Sequence, residues 1–120
     1  MKKYLVIGNP IDHSLSPKLH NYWLKKHKIY ATYEKRQLEK KDLKNLLIEI
    51  KEKKIQGINI TVPFKKDIYE ILMEDINSKV SSAVANTKSV NTVNLDKDGN
   101  IFGDNTDVDG FKKSLEHINY

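Results

Sequence analysis

The stretch Gly57-Ile58-Asn59-Ile60-Thr61-Val62-Pro63-Phe64-Lys65 constrains this chain more than any other. Ile58, Ile60 and Val62 are β-branched and apolar, and Gly57 marks the start, so the run reads as a buried strand. Pro63 has no N–H to give to a ladder and ends it. Lys65 therefore stands just past the strand's carboxyl end, the side of an open α/β sheet where ligands bind. Asn59 and Thr61 interrupt the apolar run. From this stretch alone, Lys65 is either one more solvated lysine or a working one. A lysine held in a partly desolvated cleft can exchange protons or polarise a carbonyl.

The remaining elements are set by periodicity and punctuation. Lys3 to Ile7 reads as a first strand, broken by Gly8-Asn9-Pro10. Ser16-Pro17 is a helix start, a hydroxyl cap followed by a ring pre-set for the first helical position. Leu15, Leu19, Tyr22 and Trp23 fall on one face of that helix, which predicts their burial. Thr32 to Leu38 is a second strand. A second helix carries Leu43, Leu46, Leu47 and Ile50 on one face. After the Gly57 strand, helical pieces are expected over Lys66 to Met73 and Asn77 to Ala85. A strand is expected over Lys88 to Leu95, and Asp98-Gly99 turns the chain back through Ile101-Phe102. A last helix begins near Val108, with Phe111 and Leu115 as its apolar positions. Strand–helix alternation predicts an α/β fold: a three-layer α/β/α arrangement around a mainly parallel open sheet that includes a β-hairpin.

Composition bounds the function. The 120 residues suit one domain with a modest core. The net charge is +5, but the only arginine is Arg36 and the lysines are spread along helices. This favours a solvated basic surface over a nucleic-acid patch, which would use arginine for bidentate contacts. The chain has no cysteine, so disulfides and thiolate chemistry are excluded. Tyr4-Leu5-Val6-Ile7 is too short for a signal peptide, and no run reaches membrane-spanning length, so a cytoplasmic protein without membrane contact is expected. The glycines at 8, 57, 99, 103 and 110 assemble neither a G-x-G-x-x-G turn nor a P-loop. His13, His20, His27 and His117 have no metal-site spacing, so no metal is expected. The Asn59-Ile60-Thr61 sequon lies in an expected buried strand.

Three constellations could carry chemistry. Ser14 and Ser16 flank a helix start, where hydroxyls, free N–H groups and the positive dipole end suit a carboxylate or phosphate; Ser16 alone could instead simply cap its helix. Lys65 is the second. The third is Asn91-Thr92 together with Asp107, where poor strand formers either turn the chain locally or point into a polyol-binding cleft. Asp104 and Asn105 fit a turn, and Asp107 fits the N-cap of the last helix.

Together these segments resemble shikimate dehydrogenase. The matching residues are Gly8-Asn9-Pro10-Ile11 with His13-Ser14-Leu15-Ser16-Pro17 and His20-Asn21; Gly57 to Lys65; Val90-Asn91-Thr92; and Gly103-Asp104-Asn105-Thr106-Asp107 with Gly110. They run in the family's order across nearly the whole chain. The resemblance implies a shikimate-binding N-terminal domain over residues 1–106. Residues 107–120 would start the helix leading to a Rossmann domain that binds NADP and is absent from this chain. It implies that Ser14 and Ser16 hold the substrate carboxylate, that Thr61, Asn91 and Asp107 contact ring hydroxyls, and that Lys65, paired with Asp107, is the acid/base group. The implied reaction is the reversible reduction of 3-dehydroshikimate to shikimate with NADPH, a step towards chorismate and the aromatic amino acids. The 120-residue chain alone is expected to be inactive, and either monomer or homodimer fits. Two departures stand out: Lys88-Ser89 replaces the family's usual Gly-Ala before Val90-Asn91-Thr92, and the Ser81 to Thr87 stretch is slightly long. A quinate/shikimate dehydrogenase shares this domain. A methylenetetrahydrofolate dehydrogenase-like protein has a similar architecture but does not explain the serine turn. A non-catalytic shikimate or quinate sensor would not need both Lys65 and Asp107.

Overall fold

The computed structural model describes residues 2–11 and 16–107, with Ser16 described by its backbone alone. In chain order the elements are β1 (Lys2–Gly8), α1 (Ser16–Lys26), β2 (Ala31–Gln37), a short 3-10 turn (Lys40–Asp42), α2 (Leu43–Lys51) and β3 (Gly57–Ile60). Then come α3 (Lys65–Glu74), β4 (Lys79–Val80), α4 (Ser82–Thr87), β5 (Thr92–Leu95) and β6 (Ile101–Asp104). The strands form one six-stranded sheet in the order β2-β1-β3-β5-β6-β4. All neighbours are parallel except those of β5, which runs antiparallel to both β3 and β6. The carboxyl ends of β1, β3 and β6 and the amino end of β5 therefore share one edge. The sheet is mixed and open, with helices on both faces.

Period-two alternation divides the side chains between those faces. Leu5, Ile7, Ile58, Ile60, Val93 and Ile101 pack with Leu43, Leu46, Leu47 and Ile50 of α2, Ile68 and Leu72 of α3 and Val84 of α4. The four α2 positions expected from periodicity are all buried. On the other face Val6, Ile11 and Tyr33 are buried, with Tyr4 and Leu24 packed against them. Here the expectation for α1 fails at Leu19, Tyr22 and Trp23, while Leu15 lies outside the described residues. Leu19 is 57% exposed, Tyr22 59% and Trp23 47%. An amphipathic stripe signals that a surface will be covered, but α1 meets the sheet through Leu24 and Asn21 instead. Asn21 Nδ2 donates to the Tyr33 carbonyl at 2.7 Å, and the Tyr33 N–H donates to Asn21 Oδ1 at 2.9 Å, so this side chain pins α1 to the edge strand β2.

Two more expectations need correction. Asn77 to Ala85 is not one helix: Lys79-Val80 is strand β4, and α4 starts only at Ser82. The two-residue strand exists only by pairing with Phe102 and Gly103 of β6, a long-range fact. Ser81 caps α4, its Oγ accepting from the Val84 N–H at 3.3 Å. The strand expected from Lys88 begins only at Thr92, because Lys88 ends α4 in the left-handed region at φ 56°. A glycine would occupy that conformation without a Cβ penalty. Gly99, at φ +83°, makes the expected hairpin turn between β5 and β6. The helix expected from Val108 lies outside the described residues.

Candidate active site

The shared sheet edge is fastened by its own backbone. The Thr61 N–H donates to the Ile7 carbonyl at 2.9 Å, and the Asn9 N–H to the Val62 carbonyl at 3.2 Å. Gly8 makes this approach possible: a Cβ there would lie 2.5 Å from Thr61 Cγ2 and 3.0 Å from the Val62 oxygen. Beyond Thr61 the chain turns, the Phe64 N–H donating to the Thr61 carbonyl at 3.2 Å. Phe64 is buried in the main core, and Lys65 is the first residue of α3. The lysine is thus set by a buried anchor on one side and a helix on the other.

From across the edge comes Asp107. Its Oδ2 lies 3.2 Å from Lys65 Nζ, with the lysine side chain 33% exposed and the carboxylate 64% exposed. Residues 106 and 107 are helical. Asp107 is not the cap expected for that turn. Asn105 is, its Oδ1 accepting the Asp107 N–H at 3.0 Å. The Asp107 carboxylate is therefore free to face the ammonium.

Asn91 is buried at this edge and binds Thr106 twice: its Nδ2 donates to Thr106 Oγ1 at 3.0 Å, and its Oδ1 accepts the Thr106 N–H at 3.0 Å. The Asn91 backbone joins two strands, donating to the Asp104 carbonyl at 2.9 Å and accepting from the Ile60 N–H at 2.7 Å. Asn59 points to the α1 face, where its Oδ1 accepts the Tyr33 hydroxyl at 2.7 Å. Burial pushes the Tyr33 phenol up to about 12.

Of the residues expected at the site, Lys65, Asp107, Thr61 and Asn91 converge on this edge. Ser14, with His13, lies outside the described residues, and Ser16 opens α1 in the connection leaving the carboxyl end of β1. Sequence reasoning missed Asn105, Thr106 and Thr87 as parts of the site's support. Asn105 is only 6% exposed, burial that a turn asparagine does not announce in sequence. Among the described residues no group of three or more His, Cys, Asp or Glu side chains could hold a metal ion, and no helix is long and apolar enough to cross a membrane.

An ammonium beside a carboxylate, at the carboxyl edge of a sheet and flanked by hydroxyl and amide groups, can bind a hydroxylated ring and move a proton to or from one of its oxygens. Residues 6–93 match the shikimate dehydrogenase substrate binding domain. The chain belongs to that family. It is 55% identical over 115 residues to the shikimate dehydrogenase (NADP(+)) of Pelagibacter ubique, spanning 96% of this chain and 41% of that protein. The Pyrococcus furiosus shikimate dehydrogenase (NADP(+)) is 42% identical over 98% of this chain and 41% of its own length. Among solved structures, shikimate 5-dehydrogenase from Listeria monocytogenes, in complex with shikimate and NAD, matches with a TM-score of 0.85 at 29% identity, over 100% of this chain and 39% of that one. The Thermus thermophilus enzyme, in complex with NADP(H) and shikimate, matches at 0.81 and 32% identity, over 98% of this chain and 42% of that one. The chain thus spans about two fifths of the length of these shikimate dehydrogenases.

Proposed function

We propose that this chain is the substrate-binding part of a cytoplasmic, NADP-dependent shikimate dehydrogenase serving chorismate and aromatic amino acid biosynthesis. Residues 1–106 form the domain and residues 107–120 open the helix that leads onward. The observation that carries the reading is the Lys65–Asp107 pair at 3.2 Å on the edge where Thr61 and Asn91 also meet. In this reading the Lys65 ammonium hydrogen-bonds the 3-keto oxygen of 3-dehydroshikimate, polarises the carbonyl and donates the proton that becomes the hydroxyl hydrogen of shikimate. In the reverse direction the neutral amine takes that proton back. Asp107 orients the ammonium and accepts a neighbouring ring hydroxyl. Thr61 and Asn91 supply further polar contacts, and the Ser14 and Ser16 hydroxyls hold the ring carboxylate.

The loop after β1 has its Asn9 N–H committed to the Val62 carbonyl, and proline follows, so it offers no run of free amides to a pyrophosphate. In this reading the hydride donor is held by residues other than those described.

The test is an assay of the complete gene product with shikimate or quinate and NADP or NAD. Turnover of shikimate with NADP is expected, and Lys65→Ala should lower kcat by about two to four orders of magnitude with a smaller change in KM. A near-wild-type kcat in that variant removes Lys65 from the chemistry. Binding of shikimate without turnover under every pairing would make the protein a sensor.

A further inference from the structure

The family reading accounts for Lys65 and Asp107 but not for what holds them opposite each other. They belong to different elements and lie 42 residues apart in sequence. Phe64 and α3 fix where Lys65 starts, but nothing beside Asp107 fixes its carboxylate: it is well exposed, and an exposed ion pair of this kind contributes little free energy of its own. Their separation has to be imposed by the backbone beneath them.

We propose that the segment Thr87-Lys88-Ser89-Val90-Asn91 is a bracket that sets the Lys65–Asp107 geometry, and that Asn105 is the positioning residue through which it acts. This rests on the proposed roles of Lys65 and Asp107. The bracket grips the lysine side directly, the Val90 N–H donating to the carbonyl of Lys65 itself at 3.0 Å. It grips the carboxylate side through side chains. Asn105 Nδ2 donates to Thr87 Oγ1 at 3.3 Å and to the Ser89 carbonyl at 3.2 Å, while its Oδ1 holds the Asp107 N–H at 3.0 Å. Asn91 closes the bracket at Thr106, the residue between, by donating from Nδ2 to its hydroxyl oxygen and accepting its N–H on Oδ1. Thr87 is itself fixed, its hydroxyl donating to the Ala83 carbonyl at 2.7 Å.

The chemistry explains the residue types. Asn105 must donate to the bracket and accept from the Asp107 amide at once, which a buried primary amide does and a carboxylate does not. Its Nδ2 has two protons and two acceptors, and its burial means a lost partner is not replaced freely by water. A shift of about 1 Å in Asp107 is enough to cost a rate factor of about a hundred where a proton donor must be aligned.

The test compares Asn105→Ala, Thr87→Val and Thr87→Ser in the complete enzyme, each alone and with Lys65→Ala. Thr87→Val removes the bracket's hydroxyl away from the reacting groups, and Thr87→Ser restores it. The expected result is a fall in kcat of about tenfold to a hundredfold for Asn105→Ala and a smaller one for Thr87→Val. The KM for shikimate should stay within about twofold, and Thr87→Ser should match the parent. In the Lys65→Ala background neither change should lower kcat further, because the group being positioned is gone. Unchanged kcat in Asn105→Ala, or losses that simply add to that of Lys65→Ala, would overturn the proposal. NMR on the 120-residue chain gives a readout independent of turnover: slow exchange of the Asp107 amide and the Lys65–Asp107 contact should both be lost in Asn105→Ala. Their persistence would overturn the bracket. Their loss in a protein that does not turn over shikimate would leave the bracket standing and remove the dehydrogenase reading.

Discussion

On the face that carries α2, α3 and α4, sixteen buried apolar side chains form one cluster, whereas on the α1 face three do, among the described residues. The first face holds chiefly by close packing. The second uses specific hydrogen bonds, from Asn21 to the Tyr33 backbone and from the Tyr33 hydroxyl to Asn59. The same sheet is thus held by area on one side and by geometry on the other. The candidate site occupies the edge where the two meet, with Lys65 rooted in the packed side by Phe64. The α1 face, by contrast, places its polar groups without a thick core behind them.

Mutation can break or sharpen this contrast. Ile50 has no exposed surface, and Ile50→Ala should cost about 2–5 kcal/mol in chemical denaturation; a loss below about 1 kcal/mol would mean that the packed face is not where the stability resides. On the other side, Tyr33→Phe deletes the hydroxyl that Asn59 accepts, with an expected cost of about 1–2 kcal/mol. The same variant carries a pH signature. Because burial raises the Tyr33 phenol from 10.0 to about 12, the neutral form is favoured in the folded state. That contribution is fully present below the unfolded value and is lost as pH rises through the folded one. Wild type should therefore lose stability relative to Tyr33→Phe as pH climbs from about 10 towards 12, and parallel denaturation curves across that range would show that the phenol is not desolvated. The smallest effect is expected at Trp23, which is 47% exposed. Trp23→Ala should shift stability by less than about 0.5 kcal/mol, and a loss several times larger would place α1 among the packed elements.

The packed face was the legible one. Leu43, Leu46, Leu47 and Ile50 carry a helical period whose only outlet is a core, and Ile58 and Ile60 carry a strand period that needs the same core. The α1 stripe of Leu19, Tyr22 and Trp23 has an equally good pattern, yet periodicity gives the width of an apolar surface and not what meets it. Strand β4 was hidden because two residues have no period, and its existence depends on β6. At the site, Lys65 could be read from Pro63 and the strand before it. Asn105 could not, since its role depends on Thr87 and Ser89, which nothing local connects to it. Asp107 was read as a cap because both it and Asn105 are cap-forming residues, and only the backbone around them decides which one takes the role.

The pair of bonds between Asn21 and Tyr33 has a further consequence, for solubility. Strand β2 is an outer strand, and an outer strand offers its unpaired amides and carbonyls to any other chain that can align with it. Here Tyr33, whose backbone faces outward, has both groups taken by one side chain, and the Ala31 N–H turns back to the Ile29 carbonyl at 3.0 Å. The opposite border is β4, only two residues long. A sheet bordered in this way gives a nascent or crowded neighbour little template on which to grow, so the asparagine that seats a helix also acts as a guard against aggregation.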